Sequence, residues 1–473
     1  METHPPGAGT EAVAVDPRRP AKLPFKTKLF YSTGGMSEVL MGNIIATLAM
    51  PIYNVGLGVS AVLVGYAISI PRIWDAFTDP IIANISDNTH SRFGRRRPYI
   101  FLGTLFAALF SILVWMPPRD LGEIGLVLYF LAFSILFFTA YTAFTIPYHA
   151  MGAELTSDYD ERTRLMSYKT FFLQLGATLF IPWAYKLCFV FGENEVEGVK
   201  IVGILYGGLM ILFVILPVFF CRERFSEANR SKIKVFPAIK YTLKTKLFLI
   251  ICIGTFITVF GVYLVNPLAF YINLGYVEPG DRETVATLTG VFTTTFGVAS
   301  LVAIPLINAL CIRIGKRQTL QAGVVLTATG YLVSWFAFNP EMPYLQVIVA
   351  LLAGPGMTSL WLVVSSIIAD ICDYDELETG LRREGMYSGV FSWIMKISVG
   401  GVMALTGYIV AWTGFNEEVL IQSEATVLKL RLAFMLAPLI FLTLAFFVFM
   451  RYKLTREHLT EIQAQLAAKK ANV

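Results

Sequence analysis

Apolar runs of about twenty residues recur from one end of this chain to the other, and twenty residues is the length an α-helix needs to cross a hydrocarbon core of about 30 Å. Lipid offers no water to satisfy backbone N–H and C=O groups, so a segment that spans it must close its own hydrogen bonds as a helix. Composition agrees. The 473 residues are 56% hydrophobic and only 15% charged, with a mean hydropathy of +0.63, where a soluble domain carries about 25% charged residues.

Read with Gly, Pro and charge clusters as punctuation, hydropathy predicts spans near 29–55, 61–86, 98–117, 123–152, 164–192 and 199–221, then near 247–275, 285–312, 319–338, 344–372, 386–413 and 428–451. The fold expected is all-α and membrane-embedded, with twelve spans in two bundles of six. Residues 26–221 form one bundle and 247–452 the other. Residues 1–25 read as a disordered tail without the apolar core of a signal peptide, and 453–473 as a second tail.

Between the sets, residues 222–246 carry eight Lys or Arg and two acidic residues, which predicts a cytoplasmic linker. Both termini then face the cytoplasm, and the chain is expected to be a multi-pass protein of the cytoplasmic membrane. Arg92, Arg95, Arg96 and Arg97 after span 2, Arg162 and Arg164 after span 4, Arg313, Lys316 and Arg317 after span 8, and Arg382 and Arg383 after span 10 fall on the same side. A weak internal repeat marks the same division, since SRFGRRR (91–97) and IRIGKRQ (312–318) occupy matching places in the two halves. Paired halves with a substrate site near the midplane are the plan of major facilitator transporters.

The net charge of +5 makes no basic face with interleaved aromatics, so no nucleic-acid partner is expected. Cys188, Cys221, Cys252, Cys311 and Cys372 lie far apart with no CxxC, which argues against a metal site or disulfide framework. No HExxH, GxSxG or phosphate-cradling loop occurs, and no soluble domain is appended to pass on a signal, so neither an enzyme nor a sensor is favoured.

Function is sought among ionisable residues inside the spans, where a charge costs about 2.5–3.5 kcal/mol on insertion scales and needs a partner or a task. In span 2, PRIWDAFTDP sets Arg72, Asp75 and Asp79 three and four residues apart, on one helical face. Carboxylates one turn apart repel in a low dielectric, so one takes a proton or a small cation sits between them. Thr78 can add an oxygen, which hard cations prefer. The competing reading pairs Arg72 with Asp75 as a structural ion pair. Glu38 in span 1 and Lys396 in span 11 lie near the midplane; either they pair with each other across the halves or they line a polar cavity and meet substrate. His149 and Lys169 are divided between a site and satisfied or snorkelling positions. Trp74, Trp183, Trp361 and Trp393 are divided between stacking on a sugar and anchoring at the interface. Asp370 and Asp373 at the end of span 10, opposite Arg162 and Arg164, suggest an inter-half ion-pair gate whose members are individually weak.

The segments RIWDAFTDPIIANISDNTHSRFGRRRPY, YTAFTIPYHAMGAELTSDYDERTRL and IADICDYDELETGLRREGMYSGVFSWIMK resemble the glycoside-pentoside-hexuronide cation symporter family over residues 26–452. That resemblance implies that Asp75 and Asp79, with Thr78 and Thr142, form a sodium or proton site, and that Lys396 is the family's membrane-embedded lysine. It also implies that Arg162, Asp370, Asp373 and Arg382 belong to a cytoplasmic gate. Substrate would be met by Glu38, Arg72, Thr145, His149, Lys169, Thr170, Trp393 and Lys396. Where melibiose-transporting members have a sugar-binding aspartate in span 4 this chain has Thr145; their tryptophan position is His149; their span 5 arginine falls at Thr170, one place beyond Lys169. Galactoside specificity is therefore not implied, and Lys169, Lys396 and His149 would suit a uronate or another acidic sugar. The expected function is Na⁺- or H⁺-coupled symport of a sugar, glycoside or uronide, with no cofactor beyond the coupling ion. The alternative within the same fold is symport of a lysolipid.

Overall fold

The computed structural model describes residues 23–89, 91–118, 120–156, 159–221, 242, 244–380, 383–417, 419, 421–454 and 456–471. The predicted tail over 1–22, most of the linker (222–241 and 243) and Arg382 lie outside the described residues.

Helices account for nearly all of what is described, as a chain solvated by lipid requires. They are α1 (Phe25–Ala49), α2 (Ala61–Asp87), α3 (Arg97–Val114), α4 (Glu123–Glu154), α5 (Tyr159–Leu179), α6 (Glu195–Phe220), α7 (Lys246–Val265), α8 (Arg282–Ile314), α9 (Lys316–Ala337), α10 (Val347–Thr379), α11 (Glu384–Thr413), α12 (Glu424–Met450) and α13 (Arg456–Ala471). Three of them change pitch near one end. α1 runs into a π-helical turn over Met50–Gly56, opened at Pro51. α5 tightens over Ile181–Trp183, at Pro182, before Ala184–Phe191. α7 breaks at Pro267 and continues through Leu268–Ile272 into a π-helical turn over Asn273–Val277. Pro removes a backbone donor and favours such breaks, although α2 and α4 continue through Pro71, Pro80 and Pro147.

Among the described residues, eleven helices are long and apolar enough to cross a membrane. The other expected span, α2, is 27 residues long but falls short because Arg72, Asp75 and Asp79 interrupt its apolar run. The shortfall has a physical cause, for the same residues build the site described below.

The packing of α1–α6 is repeated by α7–α12. α1 packs on α5 and α6, α3 on α4 and α6, and α2 on α4; correspondingly α7 packs on α11 and α12, α9 on α10 and α12, and α8 on α10. The two sets meet through α2 with α11 and α5 with α8, again a matched pair. The basic loops follow the same symmetry. Gly94 and Gly315, at φ +103° and +87°, make equivalent turns that a side chain would strain. The next residue in each case pairs with an acid of the fourth helix of its set: Arg95 Nη2 lies 2.8 Å from Glu154 and Lys316 Nζ 2.6 Å from Asp370.

Contact between the sets is concentrated at the end opposite the termini. There Tyr271 Oη donates to Asn54 Oδ1 at 2.6 Å, Lys186 pairs with Glu283 at 2.7 Å, Arg282 pairs with Glu195, and Tyr185 packs edge-on against Phe270. Three glycines record how α2 and α11 diverge from that end. At 3.6 residues per turn, Gly389, Gly400 and Gly407 share a face of α11. A Cβ on Gly407 would lie 2.3 Å from Ala61 O, one on Gly400 3.0 Å from Ile73 Cγ1, and one on Gly389 would meet nothing within 4 Å. The helices touch at the far end and separate toward the termini.

Candidate functional site

α2 contributes both carboxylates because residues 75 and 79 are one turn apart on the face turned toward α4 and α11. Asp75 is 1% exposed, and Thr142 of α4 donates its hydroxyl to Asp75 Oδ1. Thr78 Oγ1 donates to Asp75 O at 3.1 Å and lies 3.3 Å from Thr142 Oγ1. Both threonine oxygens therefore stand beside the acid. Lys396 reaches in from α11 of the other half, its Nζ 3.0 Å from Asp75 Oδ2 and 2.6 Å from Asp79 Oδ2. Asp79 Oδ1 is buried with no hydrogen-bond partner among the described residues, a desolvated acceptor of the kind that costs about 1–3 kcal/mol when left unpaired.

This corrects two expectations. Lys396 does not pair with Glu38 but with the span 2 carboxylates. Arg72 does not pair with Asp75: its Nη2 donates to Gly42 O and its guanidinium lies 4.5 Å from the centroid of the Phe138 ring. Side-chain reach is the reason, because Arg72 is directed back along α2 onto α1 and α4, as helical side chains are. Its Nε is buried and without a hydrogen-bond partner, and among the described residues no carboxylate pairs with it.

Glu38 is paired inside its own half, with Lys169 Nζ at 2.9 Å and His149 Nε2 at 3.0 Å. Lys169 also lies 5.2 Å from the Tyr148 ring centroid. Sequence spacing could not reveal this trio, whose members come from α1, α4 and α5. Its consequence is that the positive charge of Lys169 is already matched by a carboxylate.

A cavity of about 270 Å³ lies between the halves, bounded by Arg72 and Asp75 of α2, Trp361 of α10, and Met395, Lys396 and Val399 of α11. Trp361 thus takes the place expected of Trp393, which is half-buried and outside the lining. Stepping four residues either way along α11 from Lys396 would have picked Ser392 from the sequence, since i and i+4 share a face. Thr145 turns its hydroxyl onto Tyr141 O at 2.8 Å, and Thr170 is exposed on α5; neither touches the carboxylate pair or the cavity.

Of the expected gate residues, Asp370 pairs with Lys316 of its own half and Arg162 Nη2 donates to Thr156 O at 3.4 Å, while Arg383 lies 3.7 Å from Asp375. α2 and α11 diverge toward that end, and Lys396, with 32% of its side chain exposed, is reached from there.

Comparison with known proteins agrees with this architecture. The family described as MFS/sugar transport protein matches residues 30–456. The glucuronide carrier protein homolog of Escherichia coli (strain K12) is 25% identical, over 95% of this chain and 97% of its own. The isoprimeverose transporter of Lactiplantibacillus pentosus is 27% identical, over 83% and 81% respectively. Among solved structures, a bacterial homolog of the human lysosomal transporter Spinster superposes with a TM-score of 0.63 at 14% identity, over 91% of this chain and 98% of that one, a likeness of fold.

Proposed function

We propose, for a chain that belongs to the MFS/sugar transport protein family, that it is a symporter coupling a small cation to a sugar, glycoside or uronide by alternating access. The basic loops favour termini inside the cell, and on that reading the separated end is the cytoplasmic one and the structure inward-facing. The observation that carries the reading is Lys396 of one half sitting on the Asp75–Asp79 pair of the other, beside a cavity between them.

Two carboxylates and one ammonium leave one negative charge that a coupling ion can offset. A Na⁺ entering the pair would find the oxygens of Asp75, Asp79, Thr78 and Thr142, a hard donor set, and it would satisfy Asp79 Oδ1. A proton on Asp79 would release the ammonium in the same sense. Once released, Lys396 faces the cavity beside Arg72, and together they offer two cations to a carboxylate or to sugar hydroxyls. Cation binding therefore builds the substrate site, and by linkage substrate strengthens cation binding by the same factor. Of the acidic-sugar contacts expected from sequence, Lys396 and Arg72 suit a uronide best, since Glu38 already holds Lys169 and His149. The cavity lies at the lower end of the usual range for ligand pockets, about 300–1,000 Å³, which favours a small solute.

The test is the melting temperature of the purified protein across neutral and acidic sugars, with and without Na⁺ at several pH values, because a ligand that binds only the folded state raises it. A shift that needs one sugar and Na⁺ or low pH together is expected, and it should lose its ion dependence in Asp75→Asn. A sugar shift indifferent to both ions would reject the coupling. A shift with lysophospholipid and none with any sugar would replace the substrate class.

A further inference from the structure

The cytoplasmic end of the second half holds a site that transport does not use. A cavity of about 600 Å³ lies between the α8–α9 turn, the ends of α10 and α12, and α13. Arg313, Lys316, Arg317 and Lys453 line it, with Asp370 as the acid, and Asp370 is already held by Lys316 at 2.6 Å. Arg317 donates only to the backbone O of Tyr452, at 3.5 Å, and among the described residues Arg313 and Lys453 have neither ion-pair nor hydrogen-bond partners.

The matching turn of the first half is different: Arg95 and Arg96 both close on Glu154, and Arg96 also on Asp87. Symmetry alone therefore does not produce the excess of positive charge. A second observation points to an acceptor from outside. Tyr452 is 2% exposed and lines the cavity, yet its buried hydroxyl has no partner among the described residues. Burial, with Asp370 nearby, raises its pKa from the ordinary value, so it stays an O–H donor.

Arg313 also belongs to a neighbouring groove of about 950 Å³ between α8, α9 and α10, walled by Val298, Val302, Leu306, Leu326 and Leu351. A basic pocket at the membrane face continuing into an apolar groove along the spans has the form of a lipid. Basic pockets between helices on the cytoplasmic side suit phosphate head groups, and an open apolar groove along the spans can pack an acyl chain.

We propose that this site binds one anionic phospholipid, its phosphate held by Arg313, Arg317, Lys453 and the Tyr452 hydroxyl, and an acyl chain laid along the α8–α9–α10 groove. The site is separate from the transport cavity and does not depend on the substrate.

The test is native mass spectrometry of the full chain in neutral detergent, offered equal amounts of phosphatidylglycerol and phosphatidylcholine with the same acyl chains. One phosphatidylglycerol per chain is expected. A basic side chain near an anionic head group contributes about fivefold, so the Arg313→Gln/Lys453→Gln double variant should lose about twentyfold of the preference. Both residues are exposed, and the variant should melt within about 3 °C of the parent. Lys453→Arg should keep the preference, and Tyr452→Phe should lower it without equalising the two lipids. Equal retention of both lipids by the parent, or an unchanged preference in the double variant, would overturn the proposal. So would stabilisation by millimolar inorganic phosphate with no lipid retained, which would give the pocket to free phosphate.

Discussion

Lys396 has two carboxylates within ion-pair distance, 3.0 and 2.6 Å, and each would lose it at a different cost. Asp75 keeps the Thr142 hydroxyl, whereas Asp79 retains no hydrogen bond from another described residue once Lys396 leaves. Asp79 is therefore the carboxylate that most needs the incoming ion, and Asp75 the one that holds the geometry. A unit charge at about 4 Å contributes roughly 4 kcal/mol at an effective dielectric of 20, less the desolvation it must offset, so even part of that interaction shifts affinity strongly. Lys396→Gln removes the internal competitor, and the expected result is Na⁺ affinity tightened by about tenfold or more, with the sugar no longer dependent on Na⁺. Isothermal titration of each ligand in the presence and absence of the other checks both halves of this. Unchanged Na⁺ affinity would mean that Lys396 does not compete for the site. The spacing of 72, 75 and 79 made the carboxylate pair legible in the sequence, because helical periodicity is local. The Lys396 contact spans more than 300 positions and required the fold.

At the scale of helices, the shared face of α11 yields a paired prediction. Gly407 meets the backbone of Ala61 and Val62, so Gly407→Leu forces a side chain against main chain, and overpacking of that kind costs about 1–3 kcal/mol. It should lower the melting temperature. Gly389→Leu has open space in this conformation and should leave the melting temperature near that of the parent. It lies, however, on the face that must approach α2 when the cytoplasmic end closes, so transport in vesicles should fall severalfold. A Gly389→Leu protein that transports at the parental rate would show that α11 closes on a different face. Helix ends are also open to test. Asp281 caps α8, accepting from Thr284 N at 2.9 Å and Thr284 Oγ1 at 2.6 Å, and these bonds hold its pKa below the ordinary value. Its contribution is thus full above the unfolded-state pKa, near 3.9, and is lost as pH falls through the lower folded value. Asp281→Ala should destabilise by about 0.5–2 kcal/mol at pH 7, and melting curves should converge with the parent's as the pH is lowered below about 4. The breaks at Pro51, Pro182 and Pro267 show the limit of pattern reading. Proline is tolerated within spans, but the π-helical turns after Ala49 and Ile272 lie where Asn54 meets Tyr271 of the other half, which no hydropathy pattern shows.

Across the molecule, five helix pairings in one half recur in the other, and two matched pairings join them. Basic-loop spacing was enough to suggest that repeat, because topology constrains the placement of Lys and Arg. Which end is closed was not legible, since the contacts responsible link residues such as Asn54 with Tyr271 and Lys186 with Glu283. The Lys186–Glu283 pair is exposed enough to be weak, at about 0–1 kcal/mol, whereas Glu195 beneath Arg282 is buried. A seal of so few polar contacts can open, as a carrier that must expose its site on both sides requires. At the other end Asp370 pairs with Lys316 of its own half. Alternating access then predicts that the far end must separate in every cycle. With cysteines placed at Lys186 and Glu283, a short bis-maleimide should join the halves there and stop sugar uptake in vesicles, while sugar binding from the cytoplasmic side survives. A linker long enough to span the open state should restore uptake. If the short cross-link forms and uptake continues, the far end is not the outer gate, and the inward-facing assignment falls with it.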